Sequence, residues 1–196
     1  MSQPQRTSRE EWLAAREALV EKESALRSAR EELSARCRML PMVRVEQNHM
    51  FEGANGKVSL TELFERRRQL VIYHFWFPPG DAPCEGCSLW ASDLGDLGGS
   101  YANLHEHDTS LAFVSRATPQ EIEAVRTRRN WTMPWYSVVG EDFHELTGYD
   151  GWAQLSIFVR EGEDAYLANI VPMRDLATIG NHWTILERCP LGLKEN

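Results

Sequence analysis

Four cysteines occur in the 196 residues, and two of them, Cys84 and Cys87, stand with only two residues between them. Before the pair lies the turn-rich loop Pro78-Pro79-Gly80-Asp81-Ala82-Pro83. Before that runs the apolar and aromatic stretch Leu70 to Phe77, and after the pair a helix-like segment continues through Leu104. A strand, a loop and then a helix place the first thiol at a helix N-terminus, where unpaired backbone N–H groups and the helix dipole favour negative charge. The thiolate is the nucleophile of sulfur chemistry, so Cys84 is expected to attack and Cys87, one turn inward, to resolve a mixed disulfide. Asp81 and Glu85 suit a helix N-terminus but oppose a neighbouring thiolate. The plainer alternative is two thiols that only pack or close a loop. A structural zinc site would require a second ligand pair at similar spacing, which the sequence lacks. Cys37 and Cys189 have no near partner and read as packing or bystander thiols.

Histidines open a rival chemistry. Two thiolates and one imidazole make a soft-metal site, so a copper-binding protein using Cys84, Cys87 and His144 is the main alternative. His144 is the histidine of choice because it lies in a loop shortly before an expected strand. His105 and His107 read as a solvated helix end, and His74, in mid-strand, as a hydrogen-bonded core residue. The exchange chemistry itself requires no cofactor. Trp76, Phe77, Trp131, Trp135 and Tyr136 are expected either to fill the core or to wall an aromatic pocket above Cys84 for a small organic or thiol substrate. A third class is a non-catalytic small-molecule binding protein whose thiols merely line the pocket.

Several elements must position these residues. Residues 8 to 38 form an amphipathic helix, opened by the capping box of Ser8 and Glu11 and striped by Trp12, Leu19, Leu26 and Leu33. That stripe must pack on its own domain or on a second copy, giving a homodimer through the N-terminal helix. Strands are expected at Val43 to Phe51 and Val58 to Leu60, joined by an Asn55-Gly56 turn, with Ser59 capping a short helix. Leu70 to Phe77 reads as the central strand, buried on both faces. Thr109 to Val114, Leu155 to Val159 and Ala165 to Ile170 read as further strands. Thr118-Pro119-Gln120-Glu121 is a helix start, and a last helix is expected over Met173 to Gly180. The order of strand, helix, strand, helix, hairpin and closing helix is that of an α/β thioredoxin-like fold. The expected division is an N-terminal helix over 1–40 and one domain over 41–196.

A formal net charge of −8 argues against a nucleic-acid partner, since that affinity comes from clustered Lys and Arg. No stretch approaches the roughly 20 apolar residues that span a bilayer. Four cysteines are too few for a disulfide scaffold, and in a reducing compartment a close pair is more often catalytic or metal-binding. A cytoplasmic location with no membrane partner is therefore expected.

The stretch from Phe51-Glu52-Gly53 through Gly56-Lys57-Val58-Ser59-Leu60 to the aromatic strand and Cys84 resembles the start of a peroxiredoxin-like or thiol-reductase-like variant of that fold, and the peroxiredoxin-like variant is the one expected. Other segments resemble the bacterial thioredoxin-like family of unknown function 899. They are Leu40-Pro41-Met42-Val43-Arg44-Val45, Tyr73-His74-Phe75, Cys87-Ser88-Leu89-Trp90-Ala91, Val114-Ser115-Arg116-Ala117 and Trp131-Thr132-Met133-Pro134-Trp135-Tyr136-Ser137. The likeness runs from the first helix to about Val159. It implies the fold and, because members are commonly labelled predicted dithiol-disulfide oxidoreductases, the activity. Three departures stand out. Glu85-Gly86 replaces the Pro-Gly often found between the cysteines, no proline precedes the strand at Ala153-Gln154-Leu155, and the tail after Val159 follows the pattern poorly.

Overall fold

A computed structural model describes residues 6–95 and 98–172. Ser8 accepts the Glu11 N–H while the Glu11 carboxylate accepts the Ser8 N–H, and this reciprocal cap opens helix α1, Arg9–Arg38. No residue of α1 is buried. Trp12, Leu19, Leu26 and Leu33 are 48% to 61% exposed, so the stripe does not pack on its own domain, whose cores close without it.

The expected strand from Val43 to Phe51 is two pieces, β1 (Val43–Arg44) and β2 (Met50–Gly53). A hairpin turn joins β2 to β3, Gly56–Ser59. Its central residues are Ala54 and Asn55, one position earlier than expected, and only Gly56 takes a positive φ, 109°. Ser59 and Glu62 form the cap of α2, Leu60–Leu63. The central run forms β4, Gln69–His74, leaving Phe75 to Phe77 beyond the last ladder pair. Next come α3 (Glu85–Gly95), α4 (Gly98–Glu106) and β5 (Thr109–Ser115). Thr118 and Glu121 cap α5, Pro119–Arg129, with proline at its first position. The sequence reading missed β6 (Trp135–Val138) and α6 (Asp142–Thr147). Strands β7 (Gln154–Glu161) and β8 (Asp164–Pro172) form the expected charged hairpin. The expected helix over Met173 to Gly180 lies outside the described residues.

All eight strands join one sheet in the order β1-β8-β7-β4-β5-β6-β2-β3, with β4, β5 and β6 parallel and β4 at the centre. Successive strand residues point to opposite faces, which sorts the core into two layers. Tyr73, Phe75, Leu111, Phe113 and Trp135 fall on the face that packs against α3 and α5. Leu70, Ile72, Ala112, Val114 and Phe158 fall on the other, against Phe51, Phe64 and Phe143. Among the described residues no helix is long and apolar enough to cross a membrane.

Because the apolar stripe of α1 is exposed, replacing Leu19 and Leu26 together by Lys should leave the domain's stability in urea within about 0.5 kcal/mol of wild type. A loss of several kcal/mol would show that the stripe is covered.

Candidate functional site

The site forms where β4 hands over to α3. The Cys84 N–H donates to the Trp76 carbonyl at 3.2 Å, which folds the intervening loop back on itself. The Gly80 N–H donates to Glu121 Oε1 at 2.7 Å, so the carboxylate that caps α5 also holds the middle of this loop. From Cys84 the first turn of α3 begins, and the Cys84 carbonyl accepts both the Ser88 N–H (2.9 Å) and the Ser88 hydroxyl (2.8 Å). The Cys87 N–H donates to Cys84 Sγ at 3.4 Å. That donor is one of the orphan amides of the helix N-terminus, and it is aimed at the sulfur.

The two thiols differ in environment. Cys84 is half-buried, whereas Cys87 is 1% exposed and belongs to the core layer with Tyr73 and Trp90. Burial pushes the Cys87 thiol up to about 11, against the opposing pull of hydrogen bonds from Tyr73 and the Trp76 backbone, with the nearby Cys84 adding to the rise. Tyr73 is held in place by stacking on Trp90, with ring centroids 4.3 Å apart. Cys87 therefore stays protonated at neutral pH behind the more accessible sulfur. Cys37 is exposed and lies on α1, far along the chain from the pair, and Cys189 lies outside the described residues.

In front of the pair is a cleft of about 510 Å³ lined by Trp76, Cys84, Cys87, Asp150, Gly151, Trp152 and Ala153. The 150–153 segment is the approach to β7, shaped by the Trp152 N–H donating to Asp150 Oδ1 (3.1 Å) and by Gly151 at φ 98°. Of the expected pocket aromatics, Trp76 lines this cleft. Phe77 is buried and faces a smaller adjoining pocket of about 50 Å³ with Phe75, Pro78, Arg116 and Tyr149. Trp131 and Trp135 are instead core residues, their centroids 6.0 Å apart, with Trp135 Nε1 donating to Ser115 Oγ. Tyr136, one residue further along β6, points to the opposite face of the sheet, against the second core layer and Gly53. The strand's period of two thus removes Trp135 and Tyr136 from the cleft for different reasons. Trp152, Asp150 and Gly151 were missed, and the signal available was an Asp-Gly-Trp turn directly before an expected strand.

His144 does not join the thiols. It lies in α6, its ring 4.7 Å from Tyr149 and 6.1 Å from His74. No three His, Cys, Asp or Glu side chains converge as metal donors among the described residues, so Cys84, Cys87 and His144 do not fit a shared copper site. Tyr149 neighbours both the histidines and the cysteines. Burial pushes its hydroxyl up to about 12, with Cys87 adding to the rise, while its ring packs on both histidines. His74 is the core histidine expected, its Nε2 2.9 Å from Ser156 Oγ. Burial lowers its pKa to about 3, the neighbouring His144 adding to the effect, and burial followed by Arg116 lowers that of His144.

The family described as bacterial protein of unknown function (DUF899) matches residues 1–196, so the likeness continues through the tail beyond Val159. No curated protein matches the chain. Similar solved structures include a thiol:disulfide interchange protein from Bacteroides sp., 14% identical, covering 80% of this chain and 94% of its own, at a TM-score of 0.50. A thioredoxin-like protein from Bacteroides caccae is 19% identical over 84% of this chain and 56% of its own, at 0.45. StoA from Bacillus subtilis is 14% identical over 71% and 98%, at 0.43. At such identities the likeness concerns the fold, which is the expected α/β thioredoxin-like, peroxiredoxin-like architecture with an N-terminal helix.

Two measurements check the site. Iodoacetamide at pH 8 should label Cys84 well before Cys87, which is buried and protonated up to about pH 11, and peptide mapping that found equal labelling would contradict the asymmetry. The second concerns His74. Its folded pKa lies below the unfolded value of 6.5, so the native state binds fewer protons; this contribution to stability is present above pH 6.5 and is lost as pH falls toward about 3. Unfolding free energy should drop across that window by up to about 1.4 kcal/mol per pH unit from this residue. His74→Asn should flatten the slope, and an unchanged slope would show that His74 titrates normally.

Proposed function

The chain belongs to the bacterial protein family of unknown function DUF899, and we propose that it is a thiol:disulfide oxidoreductase acting on a small molecule in the cleft at Cys84. One observation carries this: a half-buried sulfur at the first turn of an 11-residue helix faces a cleft, with a second, buried sulfur one turn behind it. The Bacteroides protein of similar fold, itself a thiol:disulfide interchange protein, accords with it.

In the proposed reaction the Cys84 thiolate attacks one sulfur of a bound disulfide. A Cys84–substrate S–S bond forms as the substrate's S–S bond breaks, and the first product leaves as a thiolate that takes up a proton. Cys87 then loses its proton to solvent and attacks Cys84, which releases the second thiol and leaves a Cys84–Cys87 disulfide. The substrate gains two electrons that the pair has lost. A dithiol reductant restores the pair, and in the reducing cytoplasm expected for this chain the dithiol would be the resting form. The Tyr73 hydroxyl and the Trp76 backbone, by hydrogen bonding to Cys87, favour its thiolate at the second step against the cost of burial.

Among the described residues Cys84, Cys87 and His144 supply no convergent donor set for copper. Non-catalytic binding would use the same cleft without needing the sulfur. The two are separated by mutation. Incubated with a small disulfide, Cys87→Ser should accumulate a covalent adduct on Cys84, whereas Cys84→Ser should accumulate none and lose turnover by at least about a hundredfold, as removal of a nucleophile does. Intact mass measurement reads the adduct. Absence of an adduct in Cys87→Ser, with ligand binding retained in Cys84→Ser, would favour the binding protein.

A further inference from the structure

The walls of the cleft differ in kind from its floor. Trp76 is 41% exposed and Trp152 67% exposed, unusual for large aromatic rings that line a cavity. Their π faces attract cations, best of all for tryptophan, when the charge lies within about 6 Å of the ring. Among the described residues Asp150 is the one charged side chain lining the cleft, and it is exposed. The Trp152 N–H fixes Oδ1 at 3.1 Å, which holds the carboxylate on the wall beside that tryptophan while leaving it acceptor capacity for an incoming ammonium group.

The surroundings have the same sign. Glu85, exposed, is the residue after Cys84, and Asp81, also exposed, lies in the loop before it. Among the described residues no lysine or arginine lines the cleft. The cation of the adjoining pocket, Arg116, is engaged by Glu141, with Nη1 donating to Oε1 at 2.8 Å and Nη2 to Oε2. The chain as a whole carries a formal charge of −8. An anionic disulfide entering this cleft meets carboxylates and, among the described residues, no free guanidinium or ammonium group to pair with. A cationic one meets two aromatic faces and a carboxylate, the groups that recognise ammonium ions.

We infer that the cleft selects small cationic disulfides, of the amine-bearing aminothiol class, over neutral and anionic ones of similar size. This rests on the thiol exchange proposed above and uses the same step. Cys84 bonds to one aminothiol sulfur, the disulfide bond breaks, and the other aminothiol leaves as a thiolate that is protonated by solvent.

Three small disulfides test the selection: cystamine, bis(2-hydroxyethyl) disulfide and 3,3′-dithiodipropionate, which are cationic, neutral and anionic. The rate of oxidation of the reduced full-length protein by each is divided by the rate of dithiothreitol with the same compound, which removes intrinsic reactivity. At low salt the normalised rates should fall in the order cation, neutral, anion, with about tenfold or more between the extremes. The gap should narrow at 1 M NaCl, where screening shortens the reach of exposed charges. Asp150→Asn and Trp152→Ala should each reduce the cation-to-anion ratio several-fold, and circular dichroism would verify that both variants are folded. Equal normalised rates, or a preference for the anion, would overturn the selection while leaving exchange intact, because the neutral disulfide still reacts at Cys84. Failure of all three to react at Cys84 would exclude exchange itself, and the selection with it.

Discussion

The docking of the first turn of α3 onto the aromatic face of β4 is the contact on which the site depends. Tyr73 projects from the central strand, stacks on Trp90 of α3 and reaches Cys87 by hydrogen bonding. That packing fixes the helix start against the sheet, and with it the Cys87 amide that points at Cys84 Sγ. Stacked aromatic pairs contribute about 0.5–1.5 kcal/mol beyond their burial, and each fully buried large side chain contributes roughly 1.5–3 kcal/mol. The orientation of two small thiols is thus maintained by a much larger apolar contact in which Cys84 takes only a peripheral part.

The same contact makes the two sulfurs unequal. A helix that starts at a sheet's end exposes the residue before its first turn and buries the one facing the strand. Cys84 thereby keeps solvent access and an amide donor, while desolvation holds Cys87 in its protonated form. An attacking and a resolving sulfur do not need different residue types. They need different depths, and the angle of the helix to the sheet supplies them. The loop from Pro78 to Pro83, held at Gly80 by Glu121 and at Cys84 by the Trp76 carbonyl, sets that angle without a direct strand-to-helix junction. It also leaves Trp76 on the outside, where it becomes a wall of the cleft.

Much of this was legible along the chain. The capping boxes at Ser8, Ser59 and Thr118 formed as their spacing required, because a cap is decided within four residues. The unbroken apolar run from Leu70 became the central strand because both faces of the sheet are covered, and the Cys84–Cys87 spacing placed the pair in the first turn of a helix. Turn details were less secure. The β2–β3 turn sits one residue earlier than the Asn55-Gly56 signal, since a single positive φ at Gly56 satisfies the hairpin.

What sequence alone determined, then, is set by short-range geometry: where the helices with a capping box begin, which run is buried on both faces, and which cysteine stands at a helix start, whereas α6, which has no side-chain cap, was not legible. Tertiary structure decided the rest. Trp76 and Trp152 line one cleft only because the approach to β7 is brought beside β4, a pairing between segments some eighty positions apart. Trp135 and Tyr136 are adjacent in sequence and chemically alike, yet strand parity sends one into the core layer beneath α3 and the other to the far face. His144 packs against Tyr149 and His74 instead of joining the thiols, which was decided in the same way, by the neighbours α6 packs upon. Hydrophobic pattern marks a residue as buried or exposed. Only the order and register of the strands determine which distant residues share a cavity, because those are set by the packing of the whole sheet.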